Sequence, residues 1–465
     1  MRITVENLGV LKKAEFDVGD LTIICGANNT GKTYATYALY GFMNFWNEAY
    51  SPNLLGNATI EKLFSNGSIK VELDDIRNNA NSILDNACQV YCHKLPMVFA
   101  ASEKIFTDTV FHVSLSNDDV DFVSTAKNEQ VLGPNRRPVF CLDKKHGENF
   151  VTINLLAKAE EIDENNEWII YRINHSLLET LFGNVIPSPF VASIERTGAA
   201  IFRKELDISR NRLLEHVSNR DKDIDPIALI DTYFDKGYAL PVKNDVDFIR
   251  NLEDVVKHDS AISKSNPDIQ ESFDKILGGE YRATKEGLYY MPHKSHARLT
   301  MGASSSSIRS LLNLGIYIKH LACPGGMLMI DEPELNLHPM NQRRMARILA
   351  KLVNAGIKVF ITTHSDYILK ELNTLIMLGS LNSDADRIME KYHYHKNELL
   401  NVGRVKAYIA KKDLLSIDGV AKRQRHNTFV PAPIDEYGIE ISDFDETINV
   451  MNSIQDELLF GGSVE

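Results

Sequence analysis

The sequence predicts an α/β fold in which a phosphate-binding loop closes one strand of a core sheet. Three stretches predict it. The first runs from the apolar segment Leu21-Thr-Ile-Ile-Cys25 through Gly26-Ala-Asn-Asn-Thr-Gly-Lys-Thr33 to Tyr34-Ala-Thr-Tyr-Ala-Leu-Tyr40, which reads as strand, glycine loop and helix. The second is Met327-Leu-Met-Ile-Asp331-Glu332, an apolar strand ending in two carboxylates. The third is Lys358-Val-Phe-Ile-Thr-Thr-His364, another buried-type strand ending in a histidine.

The residue types of the first stretch suit a nucleotide phosphate. Gly26 and Gly31 let the loop bend, so that N–H groups across Asn28, Asn29 and Thr30 converge on phosphate oxygens. The helix that starts near Lys32 points its positive dipole end at the same anion. Lys32 reaches toward the β- and γ-phosphates, and the Thr33 hydroxyl is a ligand for Mg²⁺. In the second and third stretches, Asp331 is expected to hold Mg²⁺ directly or through water, Glu332 to polarise the attacking water, and His364 to sense the γ-phosphate. Two buried acids without such a role would be costly.

Composition bounds the rest. The chain has 465 residues, 44% hydrophobic and 25% charged, an ordinary globular balance. That length suits about two to three structural units. Every apolar run is broken by charge before the ~18 residues of a membrane span. Met1-Arg-Ile-Thr-Val-Glu-Asn reads as a strand start, not a signal peptide. Cys25, Cys88, Cys92, Cys141 and Cys323 sit mostly in apolar settings, which suits reduced thiols and a cytoplasmic location. Cys88, Cys92 and His93 have the spacing of a metal turn, but no second ligand pair accompanies them. The net charge of −12 argues against a surface that embraces nucleic acid everywhere. It leaves one basic stretch open to two readings. Arg404, Lys406, Lys411, Lys412, Lys422, Arg423 and Arg425 form either a solvated face or a site for nucleic acid or an acidic partner.

In chain order, residues 1–25 read as strands around the turn at Asn7-Leu-Gly9, and residues 34–50 as an aromatic-rich packed helix. Residues 53–88 read as a helical insertion and residues 89–155 as strands of an antiparallel sheet. An acidic loop from Glu160 to Glu167, a strand at Trp168-Ile-Ile-Tyr and a helix follow. Pro189 to Gly198 reads as a strand re-entering the core, ending in Glu195 and Arg196. Residues 199–276 are helical in composition, with Pro241 in a loop between helices. Gly278-Gly-Glu-Tyr and Gly287-Leu-Tyr-Tyr-Met-Pro292 read as a hairpin.

Gly302-Ala-Ser-Ser-Ser-Ser-Ile-Arg309 then heads an apolar helix from Ser310 to about Leu321. Ser304, Ser305, Ser306 and Ser307 can present hydroxyl and N–H donors to a phosphate. Since Lys32 already serves the chain's own phosphate site, a second such helix start suits the nucleotide of a partner copy. The alternative is a plain N-cap cluster.

Here the sequence resembles a known family. Ile3-Thr-Val-Glu-Asn-Leu-Gly9 with the loop at Gly26–Thr33 is similar to the opening of SMC/RecF-type ABC ATPases. Ile330-Asp-Glu-Pro-Glu-Leu-Asn-Leu-His-Pro339 with Thr362-Thr-His-Ser365 resembles the overcome-lysogenisation-defect subgroup, and the resemblance covers residues 1–45 and 186–375. It implies an ABC-type ATPase head: a P-loop core sheet, an antiparallel β subdomain and a helical insertion. It implies ATP and Mg²⁺ as ligands and hydrolysis between two heads of a homo-oligomer. Pro333–Pro339 would lie at the seam between copies. Ser193–Arg196 matches the glutamine-loop region, although Glu195 and Arg196 could equally form an internal salt bridge. The serine cluster departs from the family's Ser-Gly-Gly or Ser-Ser-Gly, which leaves open which serine meets the γ-phosphate.

The expected divisions are an N-terminal lobe at 1–50, a mixed insertion at 51–185, a helical subdomain with the second ATPase lobe at 186–375, and a C-terminal segment at 376–465 suited to partner docking. Relatives often add a Toprim nuclease domain. Asp443-Phe-Asp445-Glu446 supplies acids but lacks a matching glutamate strand, and reads better as the cap of a closing amphipathic helix. By resemblance to Septu-like and PARIS-like pairs, the expected role is the regulatory ATPase of an anti-phage system whose effector, such as a nuclease, is a separate protein. Two alternatives stand beside it: a RecF-like ATPase acting on DNA in repair or chromosome maintenance, and a nucleotide-dependent scaffold.

Overall fold

The computed structural model describes residues 1–116, 126–132, 137–156, 167–202, 237–284, 287–380, 385–415, 424–440 and 450–458. Most of the acidic loop after Glu160, the basic residues Lys422 and Arg423, and the triplet Asp443–Glu446 lie outside the described residues. No described helix is long and apolar enough to cross a membrane.

The chain opens with β1 (Arg2–Leu8), β2 (Leu11–Asp17) and β3 (Leu21–Gly26), then α1 (Lys32–Glu48). The insertion follows as α2 (Asn57–Asn66), β4 (Ser68–Glu72), α3 (Asp74–Asn78), α4 (Ala80–Cys92) and α5 (Leu95–Val98), then β5 (Val110–Ser114), β6 (Ala126–Leu132), β7 (Arg137–Lys144), β8 (Phe150–Leu155) and α6 (Glu167–Phe182). After β9 (Pro189–Ala192) come α7 (Leu240–Arg250), α8 (Pro267–Leu277), β10 (Gly279–Thr284), β11 (Gly287–Pro292) and β12 (Leu299–Thr300). Then α9 (Ser306–Ile316), β13 (Met327–Asp331), α10 (Pro339–Asn354), β14 (Lys358–Thr363), α11 (Asp366–Ser380), β15 (Val405–Leu415) and β16 (Gln424–Pro431) complete the main elements.

A nine-stranded sheet, in the order β5-β1-β2-β16-β15-β3-β14-β13-β9, organises the molecule. From β9 to β15 its neighbours are parallel, whereas β15–β16, β2–β1 and β1–β5 pair antiparallel. The parallel strands are covered on both faces, which is why β13 reads Met-Leu-Met-Ile-Asp with every residue buried. Gly26 at the end of β3, Asp331 at the end of β13 and the end of β14 therefore share one edge, the carboxyl edge where open α/β sheets bind ligands. A second sheet, β4-β8-β7-β6, is antiparallel and belongs to the insertion; β10-β11-β12 forms the expected hairpin sheet.

Four expectations are corrected. Trp168-Ile-Ile-Tyr is not a strand but the first turn of α6. Ile169, Ile173, Leu177 and Leu181 recur at helical spacing and are buried. Pro241 is not in a loop; it occupies the first turn of α7, where its missing N–H costs nothing. Glu195 and Arg196 do not pair with each other: Glu195 accepts from the Tyr37 hydroxyl at 2.9 Å, and Arg196 turns to main-chain carbonyls. Finally, the described strands β15 and β16 of the C-terminal segment are built into the core sheet. β15 pairs with the P-loop strand β3 and with β16, placing Val405, Tyr408, Ile409 and Phe429 in the core. No pattern in the basic stretch signalled this, because β15 and β16 join β3 and β2 from the opposite end of the sequence.

Cys88 and Cys92 lie on α4, where their sulfurs face the main chain of Val113 and Phe111 on the outer edge of β5. Burial pushes the Cys88 thiol up to about 12 and raises Cys92 as well, so both are thiols. No metal-holding cluster of His, Cys, Asp or Glu exists among the described residues.

Candidate functional site

The glycine loop is shaped by its neighbours. Gly26 has φ +132°, and a Cβ there would lie 2.3 Å from the Ala410 carbonyl of β15. Gly31 has φ +100°, and its Cβ would lie 2.5 Å from Leu11 of β2. Only glycine fits either position. Asn29, between them, is left-handed at φ 61°. Asn427 of β16 braces this turn, its amide donating to the carbonyls of Asn29 at 3.3 Å and Val10 at 3.2 Å. Gly31 caps α1 without any side-chain hydrogen bond, so the first N–H groups of the helix remain available to an anion.

Lys32 is 6% exposed and folds back over the loop, donating to the carbonyls of Gly26 at 3.0 Å and Ala27 at 2.7 Å. Burial lowers its pKa, opposed by the charges of Asp331 and Glu332. The ammonium thus sits among carbonyls that phosphate oxygens would replace with a stronger, charged partner. Thr30 donates to Ala27 O at 2.8 Å, tightening the same turn.

The two acids Asp331 and Glu332 stand opposite. The Asp331 carboxylate is 2% exposed and accepts from the hydroxyls of Thr33, at 3.1 Å, and Thr362. Burial raises its pKa and the two hydroxyls pull it down. One carboxylate and one P-loop hydroxyl, aligned at a helix start, form a donor set that fits a hard oxygen-seeking cation. Glu332 is held in the left-handed region at φ 53°, a conformation costly for a residue with a side chain and characteristic of functional turns. Its N–H donates to Thr362 O at 3.1 Å. The His364 Nε2 stands 3.6 Å from Glu332 Oε1. Burial and the Lys32 charge both lower the His364 pKa, so the ring is neutral near pH 7. Burial and the adjacent Asp331 raise Glu332, which favours its taking up a proton.

Sequence reasoning missed the residue that sets His364. Glu334 Oε1 accepts from His364 N at 2.6 Å and from the Thr363 hydroxyl at 2.9 Å, pinning the end of β14 to the turn after β13. Its place two residues after Glu332, in Asp-Glu-Pro-Glu, was the available signal.

The serines separate into two groups. Ser304 is buried and donates to Thr300 O at 2.9 Å, so its hydroxyl turns inward. Ser305 caps α9, accepting from Ile308 N, and shares a 2.9 Å contact with Ser307; Ser305 and Ser306 are exposed at the helix start. Behind them Asn313 donates to Asp245 at 2.6 Å, and Asp245 also accepts from Ser193 N at 2.9 Å.

Asp245 yields a stability prediction. Burial lifts its pKa from the ordinary 3.8 to about 6. The folded state therefore binds a proton that the unfolded chain has lost, and stability falls as pH rises through that window. The predicted loss is about 3 kcal/mol, and Asp245→Asn removes that share of the slope. Denaturant unfolding of both proteins between about pH 4 and 8 checks it.

A family model described as the AAA ATPase domain matches residues 1–182 and 153–369. UvrABC system protein A of Clostridium acetobutylicum is 22% identical over 141 residues, which are 30% of this chain and only 14% of that protein's length. Among solved structures, an SMC head bound to the C-winged helix domain of ScpA is 13% identical, covers 92% of this chain and 97% of its own, and has a TM-score of 0.32. The SMC head domain from Thermotoga maritima is 13% identical, covers 93% of this chain and 98% of its own, and has a TM-score of 0.28. The family match runs over more than half of the sequence, and the chain belongs to the AAA ATPase domain family.

Proposed function

We propose that this ATPase binds ATP with Mg²⁺ and hydrolyses it at a site completed by a second copy, and that this cycle regulates a separate effector, such as a nuclease, in a prokaryotic anti-phage system. The observation that carries the chemistry is the gathering of Lys32, Thr33, Asp331, Glu332 and His364 at one sheet edge. In this reading the Thr33 hydroxyl and Asp331 carboxylate hold Mg²⁺, which supplies charge neutralisation for the phosphates. Lys32 and the N–H groups of the loop orient the phosphates, Glu332 accepts a proton from the attacking water, and neutral His364 hydrogen-bonds the terminal phosphate. Ser305, Ser306 and Ser307 at the start of α9 serve the nucleotide of the partner copy, a reading supported by the exposure of Ser305 and Ser306. The regulatory role rests on the resemblance of Ile330–Pro339 and Thr362–Ser365 to overcome-lysogenisation-defect ATPases.

Ser306→Glu tests the composite site. The added carboxylate is expected to abolish turnover while ATP still binds at the loop, whereas Lys32→Ala loses the binding itself. Full turnover by Ser306→Glu would overturn the two-copy reading. Turnover stimulated by DNA with steep salt dependence would instead favour a DNA-repair or chromosome-maintenance ATPase.

A further inference from the structure

Arg196 follows β9, and its guanidinium makes four main-chain hydrogen bonds behind the site. It is 3% exposed. Its Nε donates to Ser310 O of α9 at 2.9 Å. Nη1 donates to Ser193 O and to Asp331 O, both at 2.7 Å, and Nη2 donates to Glu332 O at 2.8 Å. All four acceptors are main-chain carbonyls, and they belong to three segments: the end of β9, the Asp331–Glu332 turn and the serine-headed helix.

A planar guanidinium with a fixed fork of donors sets the relative position of whatever it bridges, which a lysine ammonium cannot do from one point. Carboxylates surround it too, with Asp245 and Asp331 exerting the largest charge effects on it. Simple charge compensation would have turned the fork onto one of them. Two further bonds run alongside. The Ser310 hydroxyl donates to Leu335 O at 2.9 Å, just past the carboxylate turn, and Asn313 of α9 reaches Ser193 N through Asp245. The turn that Arg196 grips is itself a strained element, with Glu332 at φ 53° and its carbonyl held by Nη2. Asp331 bonds Thr33 at the loop, so a rearrangement of its carboxylate is transmitted through a peptide unit that Arg196 holds.

We propose that Arg196 is a positioning residue that couples the Asp331–Glu332 turn to α9, so that ATP bound at a chain's own loop sets the pose of the serine helix start it offers to a second copy. The proposal rests on the two-copy reading above. Its effect on each copy precedes assembly, which makes the two separable.

Amide hydrogen exchange of wild type and Arg196→Lys, with and without Mg-ATP, tests it at a concentration where light scattering reads a single copy. In wild type, ATP is expected to protect residues 26–36 and also to change exchange across 305–316. In Arg196→Lys the protection at 26–36 persists and the response at 305–316 disappears, while kcat falls about 10²-fold with KM little changed. An undiminished response at 305–316 in Arg196→Lys overturns the proposal, as does a wild-type chain whose loop responds and whose helix does not. Absence of protection at 26–36 in wild type overturns the ATP reading instead. Should Arg196→Lys fail to unfold cooperatively, Arg196→Gln, which brings no charge into the site, takes its place in the same comparison.

Discussion

Glu332→Gln is expected to lower ATP turnover by about 10²- to 10⁴-fold, the range of a lost general base. ATP affinity should stay close to that of the parent. The substitution keeps the shape of the side chain and the main-chain bond from Glu332 N to Thr362 O, so the turn survives. It removes the carboxylate that faces the His364 ring, whereas Asp331 is bonded to Thr33 and Thr362 and Glu334 to Thr363 and the His364 N–H. Measuring phosphate release alongside nucleotide binding separates the two effects. Turnover at the parent rate would remove Glu332 from the role of base.

The second large effect is on folding. A chain ended after Val402 should fail to fold, because it lacks β15 and β16 from the middle of the nine-stranded sheet. Val405, Tyr408, Ile409 and Phe429 would be gone from the core, and Phe16 would lose ring partners at 6.1 and 5.8 Å. At about 1.5–3 kcal/mol for each large apolar side chain, the loss is about 6–12 kcal/mol. That is comparable to the whole stability of a typical domain. A chain ended after Glu440 should behave oppositely. It keeps the sheet and removes the helical residues 450–458, whose Val450, Met451, Ile454 and Leu458 are all exposed. We expect it to unfold cooperatively and bind ATP like the full chain. Loss of effector co-purification from that shorter chain would assign docking to the C-terminal residues, and undiminished co-purification would direct attention to the insertion at 51–185.

The parts of the site that were legible in the sequence are those built from neighbours along the chain. The loop at Gly26–Thr33 names itself because glycine, lysine and threonine are each required by local geometry, and Asp331-Glu332 and His364 stand at the ends of continuous apolar runs. What joins them was not legible. Arg196 reaches Ser310 and Asp331 across 114 and 135 residues, and Asp245 reaches Asn313 across 68. A lone arginine after a short strand gives no sign of carbonyls so far away in the chain. The same holds for the fold. β3, β13 and β14 announce themselves as doubly covered parallel strands, whereas β15 and β16 mix lysines with apolar residues and were read for their charge. Trp168 was misread because four apolar residues in a row cannot distinguish a strand from the start of a helix without the spacing that follows.

The central claim is that one chain holds two halves of different ATP sites, and mass in solution tests it most directly. Glu332→Gln protein, in which bound ATP should persist, is to be weighed by light scattering with and without saturating Mg-ATP. The account predicts that ATP shifts it to a dimer or a larger species. An unchanged single-copy mass at saturating ATP, with the wild-type protein turning over ATP at that same mass, would contradict it.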